Sequence, residues 1–204
     1  MSRLEAKLLS LVPAQPWKNR GGVTRALAEI DNEWRVSLAN VDANGPYSRF
    51  EGMTRLSLVI EGKGVVLHNR EGRVALEYHV PALYDGALDW TASLIEGPVA
   101  ALNIMARKDR YLPSASILTT PMTLPQGAAA VILSGNSRCT TRLADSDATV
   151  EIPPWHFVVV NPVSEPMEVS RDIVHPIGSN PPIVALIKPV EPRSSQKPYC
   201  LRKC

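Results

Sequence analysis

A chain of 204 residues with 45% hydrophobic content is long enough to bury a real core, and a formal net charge of +2 is too small to mark a nucleic-acid binder. Its longest apolar runs, such as Phe157 to Val160, are of strand length and far short of a membrane span, so no membrane partner is expected. Eighteen prolines and twelve glycines demand many turns and short elements, which points to β structure rather than helical bundles.

Charges at Arg3, Glu5 and Lys7 interrupt the first residues before an apolar signal region can form. The three cysteines, Cys139, Cys200 and Cys204, show no disulfide framework, which suits a reducing compartment, so the expected location is cytoplasmic. Lys7 to Pro13 reads as a short strand. The segment PWKNRGGVTR, from Pro16 to Arg25, is too polar for a core strand and too glycine-rich for a helix, yet contains a tryptophan that is costly to leave in water. Val23 to Ile30 and Trp34 to Ala39 follow as strands. In the second, Trp34, Val36 and Leu38 share one face, with Arg35, Ser37 and Ala39 on the other.

Asn44 to Pro46 marks a turn. Leu56 to Ile60, Val65 to His68 and Val74 to Val80 then succeed one another across the turns Glu61 to Gly64 and Asn69 to Gly72, the pattern of an antiparallel meander. After a turn at Glu96 to Pro98, the strand Leu102 to Arg107 places Asn103, Met105 and Arg107 on one face. Leu112 to Met122 carries the chain to a second unit. Its strands are Ala129 to Leu133, Ser137 to Arg142, Thr149 to Ile152, Phe157 to Val160 and Ile183 to Ile187. The expected organisation is a first unit over 1–112, a second over 113–190 and a polar basic tail over 191–204, the two units together forming one compact body.

Familiar catalytic patterns are missing from the sequence. His68, His79, His156 and His175 fall in no metal-binding spacing, and no metal or other cofactor is expected. There is no nucleophile elbow, phosphate loop or dinucleotide fingerprint. Cys139 lies beside Arg138, which could lower its pKa. What stands out is a set of fixed cations and neutral donors: Lys18, Asn19 and Arg25 from the opening loop, Arg35 and Ser37 on one strand face, Ser48 and Arg49 after a turn, and Asn103 and Arg107 flanking Met105 on another face. Converging in a barrel mouth, they would bind a small anion, since arginine matches a carboxylate with two parallel donors. The same alternation also suits an antiparallel sheet with one face in water.

Three stretches carry a resemblance: PWKNRGGVTR, WRVSLANVDANGPYSRFEGMTRLSLVIEGKG and IEGPVAALNIMARK, in this order from Pro16 to Lys108. They are similar to the HutD/Ves family. The resemblance implies an all-β bicupin: two antiparallel cupin-like β-barrels in one chain with little helix. It implies a cytoplasmic accessory or regulatory protein of histidine utilisation whose ligand is a small carboxylate such as urocanate, formylglutamate or formate. The Ves branch is linked instead to stress response. By position the resemblance adds Thr24 and Met105, so the ligand-binding set becomes Lys18, Asn19, Thr24, Arg25, Arg35, Ser37, Ser48, Asn103, Met105 and Arg107. No residue is assigned as catalytic. Trp17 would anchor the loop, and Trp34 and Phe50 would fill core.

The chain departs from the family pattern at Arg20, where a third glycine is usual, at Asn44, where an acidic residue is common, and at Tyr47, where phenylalanine is. Arg20 would either change the loop or add a cation at the rim. The alternative functions are a metal-free cupin enzyme, a hydrolase or isomerase of a small carboxylic acid with Lys18 moving the proton, and an interaction module in which the apolar second unit makes a homodimer.

Overall fold

The computed structural model of the chain describes residues 4–143, 149–172 and 180–191. Nineteen strands appear among them. In chain order these are β1 (Lys7–Leu8), β2 (Gln15–Pro16), β3 (Gly22–Ile30), β4 (Trp34–Val41), β5 (Gly45–Pro46), β6 (Met53–Glu61), β7 (Val65–His68), β8 (Arg73–Leu76), β9 (Ala82–Asp85) and β10 (Thr91–Leu94). There follow β11 (Val99–Arg107), β12 (Tyr111–Ile117), β13 (Met122–Leu124), β14 (Ala129–Leu133), β15 (Cys139–Leu143), β16 (Thr149–Ile152), β17 (His156–Val160), β18 (Met167–Arg171) and β19 (Ile183–Pro189). Among the described residues the one helical element is a single 3-10 turn, Leu9–Leu11, which interrupts the strand expected from Lys7 to Pro13. The expected strand from Val74 to Val80 likewise stops at Leu76, and the chain turns at His79, a residue at φ +62°.

The strands form four antiparallel sheets. A four-stranded sheet, β5-β10-β7-β8, faces a six-stranded one, β2-β3-β4-β11-β6-β9. A five-stranded sheet, β1-β17-β14-β19-β12, faces a second four-stranded one, β13-β18-β15-β16. Among the described residues no ladder closes on itself, so the anticipated closed barrels are here two pairs of facing sheets. An isolated bridge between Val59 and Tyr78 brings the first pair together at one side.

Alternation along the central strands explains how the layers stack. In β11, Leu102, Ile104 and Ala106 point to one side, and Ala101, Asn103 and Met105 to the other. The first set joins Trp34, Val36, Leu56 and Leu58 against Val131, Leu133, Phe157, Ala185 and Ile187 of the five-stranded sheet. The two largest sheets are thus packed back to back, and this seam is a hydrophobic core shared by both halves of the chain. Strands buried on both faces must be apolar throughout. This accounts for the unbroken runs AAVIL in β14 and IVALI in β19.

The two halves are filled differently. Between the second pair of sheets lies a dry core of Leu124, Ile132, Ile152, Val158, Val169 and Leu186. Cys139 sits in it with no exposure, and burial pushes its thiol up to about 12. Arg138 is exposed and pairs with Glu151 at 2.5 Å instead of activating that thiol. Between the first pair of sheets, apolar packing by Val59, Val65, Leu67, Leu76, Trp90 and Val99 covers only part of the space, and the rest is open. The N-terminal strand β1 pairs with β17, so residues 7 and 8 belong to the second pair's sheet. His175, Cys200, Cys204 and the tail from Pro192 lie outside the described residues.

Candidate functional site

A cavity of about 620 Å³ opens between the six-stranded sheet, the loop Pro16 to Asn19 and the segment Pro46 to Phe50. Its floor is made by the middle of three neighbouring strands. β4 and β6 both pair with β11, and the registers align two rows. Arg35, Met105 and Arg55 lie side by side, and so do Ser37, Asn103 and Ser57. The cause is visible in the chain: Arg35-Val36-Ser37-Leu38 and Arg55-Leu56-Ser57-Leu58 are one pattern used twice, arginine and serine on the face of the sheet that bears the cavity, with Ser57 buried beneath its lining, while the apolar pair faces the seam.

Of the ten residues selected from sequence, eight line this cavity: Lys18, Asn19, Thr24, Arg35, Ser37, Ser48, Asn103 and Met105. Arg25 does not. Thr24 faces the cavity opposite Ala39, so Arg25 turns to the seam side opposite Leu38, and a bulge at Leu27 shifts the register by one residue beyond it. Arg107 also stands apart. It is on the right face of β11, but the cavity ends at Met105; Arg107 is exposed at the strand end, with Nη1 3.4 Å from the Asn32 carbonyl. Two of the eight are committed within the loop. Asn19 accepts from the Gly21 amide at 3.0 Å and donates to the Pro46 carbonyl at 3.3 Å. Thr24 accepts from the Trp17 indole at 2.7 Å.

The residue that sequence reasoning passed over is Arg55. It is only 7% exposed, and its guanidinium lies 5.1 Å from the ring centre of Tyr47, 5.2 Å from Tyr84 and 5.5 Å from Phe50. Its sole polar contact among the described residues is a long one, 3.4 Å to the Ser48 carbonyl, and its Nε is buried without a partner. The aromatic faces supply part of what water would, through the ring quadrupole. Arg35 is less enclosed and rests 3.5 Å from Glu29. The lining therefore brings together Lys18, Arg35 and Arg55 with no carboxylate, histidine or cysteine. Phe50, expected to fill core, is instead part of the cavity wall. Burial, with the nearby Tyr84, also holds the Tyr47 phenol neutral well above its usual range.

The mouth is built from parts with identifiable jobs. Trp17 packs edge-on against Tyr47, with ring centres 5.9 Å apart, and ties the loop to the opposite lip. Gly22 is required by contact, since a Cβ there would lie 2.1 Å from the Asn40 carbonyl. Arg20 adopts φ +57° and does not line the cavity. So the loop keeps the left-handed conformation that suits glycine, and arginine bears the strain. Arg20→Gly is expected to raise stability by about 1 kcal/mol, measured by urea unfolding, without changing ligand affinity. A loss of stability would show that the Arg20 side chain compensates for its backbone.

Asp85, at the end of β9, lies outside the cavity lining and anchors the loop that follows. Its carboxylate accepts from Lys108 at 2.6 Å and from the Ala87 amide at 2.8 Å, and its carbonyl accepts from the Trp90 indole at 2.7 Å. The Lys108 hydrogen bond, followed by the Ala87 one, holds the acid below the usual carboxylate range. A carboxylate depressed on folding adds stability above its unfolded pKa and loses it as pH falls through the folded one. The wild type is therefore expected to melt above Asp85→Asn at pH 6, with the gap vanishing as pH falls below the ordinary value of 3.8. A gap independent of pH would rule out the ion pair as its source.

Among the described residues there is no group of three or more acidic, histidine or cysteine side chains placed to hold a metal, and no helix long and apolar enough to cross a membrane. Against known proteins, the chain is 30% identical over 145 residues to the protein Ves of Citrobacter koseri, covering 67% of this chain and 76% of that one. HutD of Pseudomonas fluorescens SBW25, in its formate condition, superposes with TM-score 0.71 at 18% identity, over 92% of this chain and 100% of that one. A single-substitution variant of the oxalate decarboxylase of Bacillus subtilis superposes with TM-score 0.57 at 10% identity, over 92% of this chain and 77% of that one, so the fold is cupin-like. The HutD family model matches residues 10–169, which take in the loop, both Arg-x-Ser strands and most of the second pair of sheets, and the chain belongs to the HutD family.

Proposed function

We propose that this chain is a small-ligand-binding accessory or regulatory protein whose first half holds a small carboxylate of histidine breakdown. The observation that carries this reading is Arg55: a charge 7% exposed, caged by three rings, with no anion facing it among the described residues. A buried cation normally has a partner, because its desolvation costs several kcal/mol. A ligand carboxylate would supply it, in bidentate contact with the Arg55 fork. Arg35 and Lys18 would add attraction, and Ser37 and Asn103 neutral donors. A lining without carboxylate, histidine or cysteine suits holding an acid more than turning it over.

The volume, about 620 Å³, is typical of a site for a molecule larger than a single carboxylate group. That favours urocanate or formylglutamate over formate. The family resemblance implies a small carboxylate and includes all three alike. In this reading each pair of sheets is an opened cupin barrel, the first keeping its cavity and the second filled as a packing unit. The division near residue 112, the cytoplasmic location and a homodimer belong to the same proposal. Titration calorimetry with urocanate, formylglutamate and formate tests it. Binding to wild type that weakens in Arg35→Ala is expected. No binding, or binding unchanged by Arg35→Ala, would overturn it.

A further inference from the structure

Asn103 is held by a chain of hydroxyls whose direction can be worked out. Ser57 Oγ donates to Asn103 Oδ1 at 2.6 Å, a spacing typical of an O–H donor and short for an amide N–H. A serine hydroxyl has one proton, so in the 2.9 Å contact between Ser57 Oγ and the Tyr84 hydroxyl it is Tyr84 that donates. The three groups are 6%, 1% and 7% exposed from Tyr84 to Asn103, so water does not compete along the chain. The Asn103 carbonyl is thereby committed to Ser57, which leaves the NH2 as the end of the amide available to a ligand in a residue that lines the cavity. One amide proton meets the Ala101 carbonyl only at 3.4 Å, and the other has no partner among the described residues. Asn103 lines the cavity, whereas Ser57 and Tyr84 do not.

We propose that Tyr84 and Ser57 are positioning residues that make Asn103 a fixed hydrogen-bond donor, so that the ligand is a short acid with a second acceptor, a keto, formyl or carboxyl oxygen, a few bonds from its carboxylate. This rests on the reading that Arg55 receives the carboxylate. Arg55 and Arg35 pair with Met105, and Ser57 and Ser37 with Asn103, so each arginine is a diagonal neighbour of Asn103. Diagonal neighbours on an antiparallel sheet stand about 7–8 Å apart at their Cβ atoms, which leaves room for a second acceptor in the same molecule. The site selects for acceptors at both ends, since the cations and the oriented amide all donate.

The probes are 4-oxopentanoate and pentanoate, which share a carboxylate and differ by one carbonyl acceptor. Wild type is expected to bind the oxo acid roughly tenfold more tightly, the worth of one good hydrogen bond. In Ser57→Ala that preference should fall toward one, and in Tyr84→Phe part of the way, while pentanoate affinity is kept; Asn103→Ala should abolish the preference outright. Equal binding of both probes by wild type, or loss of both alike in the variants, would overturn the proposal. Pentanoate binding that still depends on Arg55 would leave the proposed function standing, and failure of wild type to bind either probe would count against both. Should Ser57→Ala fail to fold, Tyr84→Phe and Asn103→Ala decide the matter.

Discussion

Arg55→Met is expected to abolish carboxylate binding while leaving the ligand-free protein at least as stable as wild type. The binding loss follows from removing one partner of a buried charge-assisted pair, about 2–5 kcal/mol or a factor of roughly 30 to 5,000. The stability result follows from opposing effects at one side chain. Arg55 has cation–π contacts with Tyr47, Phe50 and Tyr84, each worth about 0.5–2 kcal/mol, and one long hydrogen bond. Against these stands the desolvation of a guanidinium with no anion beside it, of several kcal/mol. Methionine keeps the length and apolar contact and removes the charge. A ligand at a hundredfold its Kd adds about 2.7 kcal/mol to the stability of wild type, which thermal unfolding reads directly. Arg55→Met should show no such increase. Arg55→Lys should bind weakly, keeping the charge but losing the planar fork. Binding by Arg55→Met equal to wild type would end the assignment.

Phe157→Ala is expected to cost about 3–5 kcal/mol and to lower the unfolding midpoint of the whole molecule. Phe157 is 2% exposed and comes from the second pair of sheets, yet it packs in the seam formed with the first. Trp17, Trp34 and Trp90 lie in the first half and Trp155 in the second, so in a Trp155→Phe background the fluorescence reports on the half that does not contain the substitution. A shared core should make the two halves unfold in one transition. A tryptophan-reported midpoint left at the wild-type value, with an earlier transition seen by circular dichroism, would show that the seam does not couple them.

Much of the site was legible in the residues, and each success has the same origin. A strand's side chains alternate with period two, so the pattern alone sets Arg35 and Ser37 against Trp34, Val36 and Leu38. The same rule groups Asn103 with Met105. Arg25 reads from the sequence as part of the opening loop, but it lies on β3, where Thr24 rather than its neighbour faces the cavity; at Arg107 the face is right but the cavity has ended. The repeated Arg-x-Ser-Leu at 35–38 and 55–58 is the signal that would have found Arg55.

By itself, then, the sequence determined most of the strands, their faces and the polar residues available to a site, because these depend on local period and turn chemistry. Only the tertiary structure decided that the Arg-x-Ser strands flank β11 in one register, that Arg55 is buried without an anion among the described residues, and that Ser57 and Tyr84 aim Asn103. It also decided which half stays open and which is filled. Those outcomes rest on pairings between residues tens of positions apart, and strand pairing over such distances is set by the packing of whole sheets.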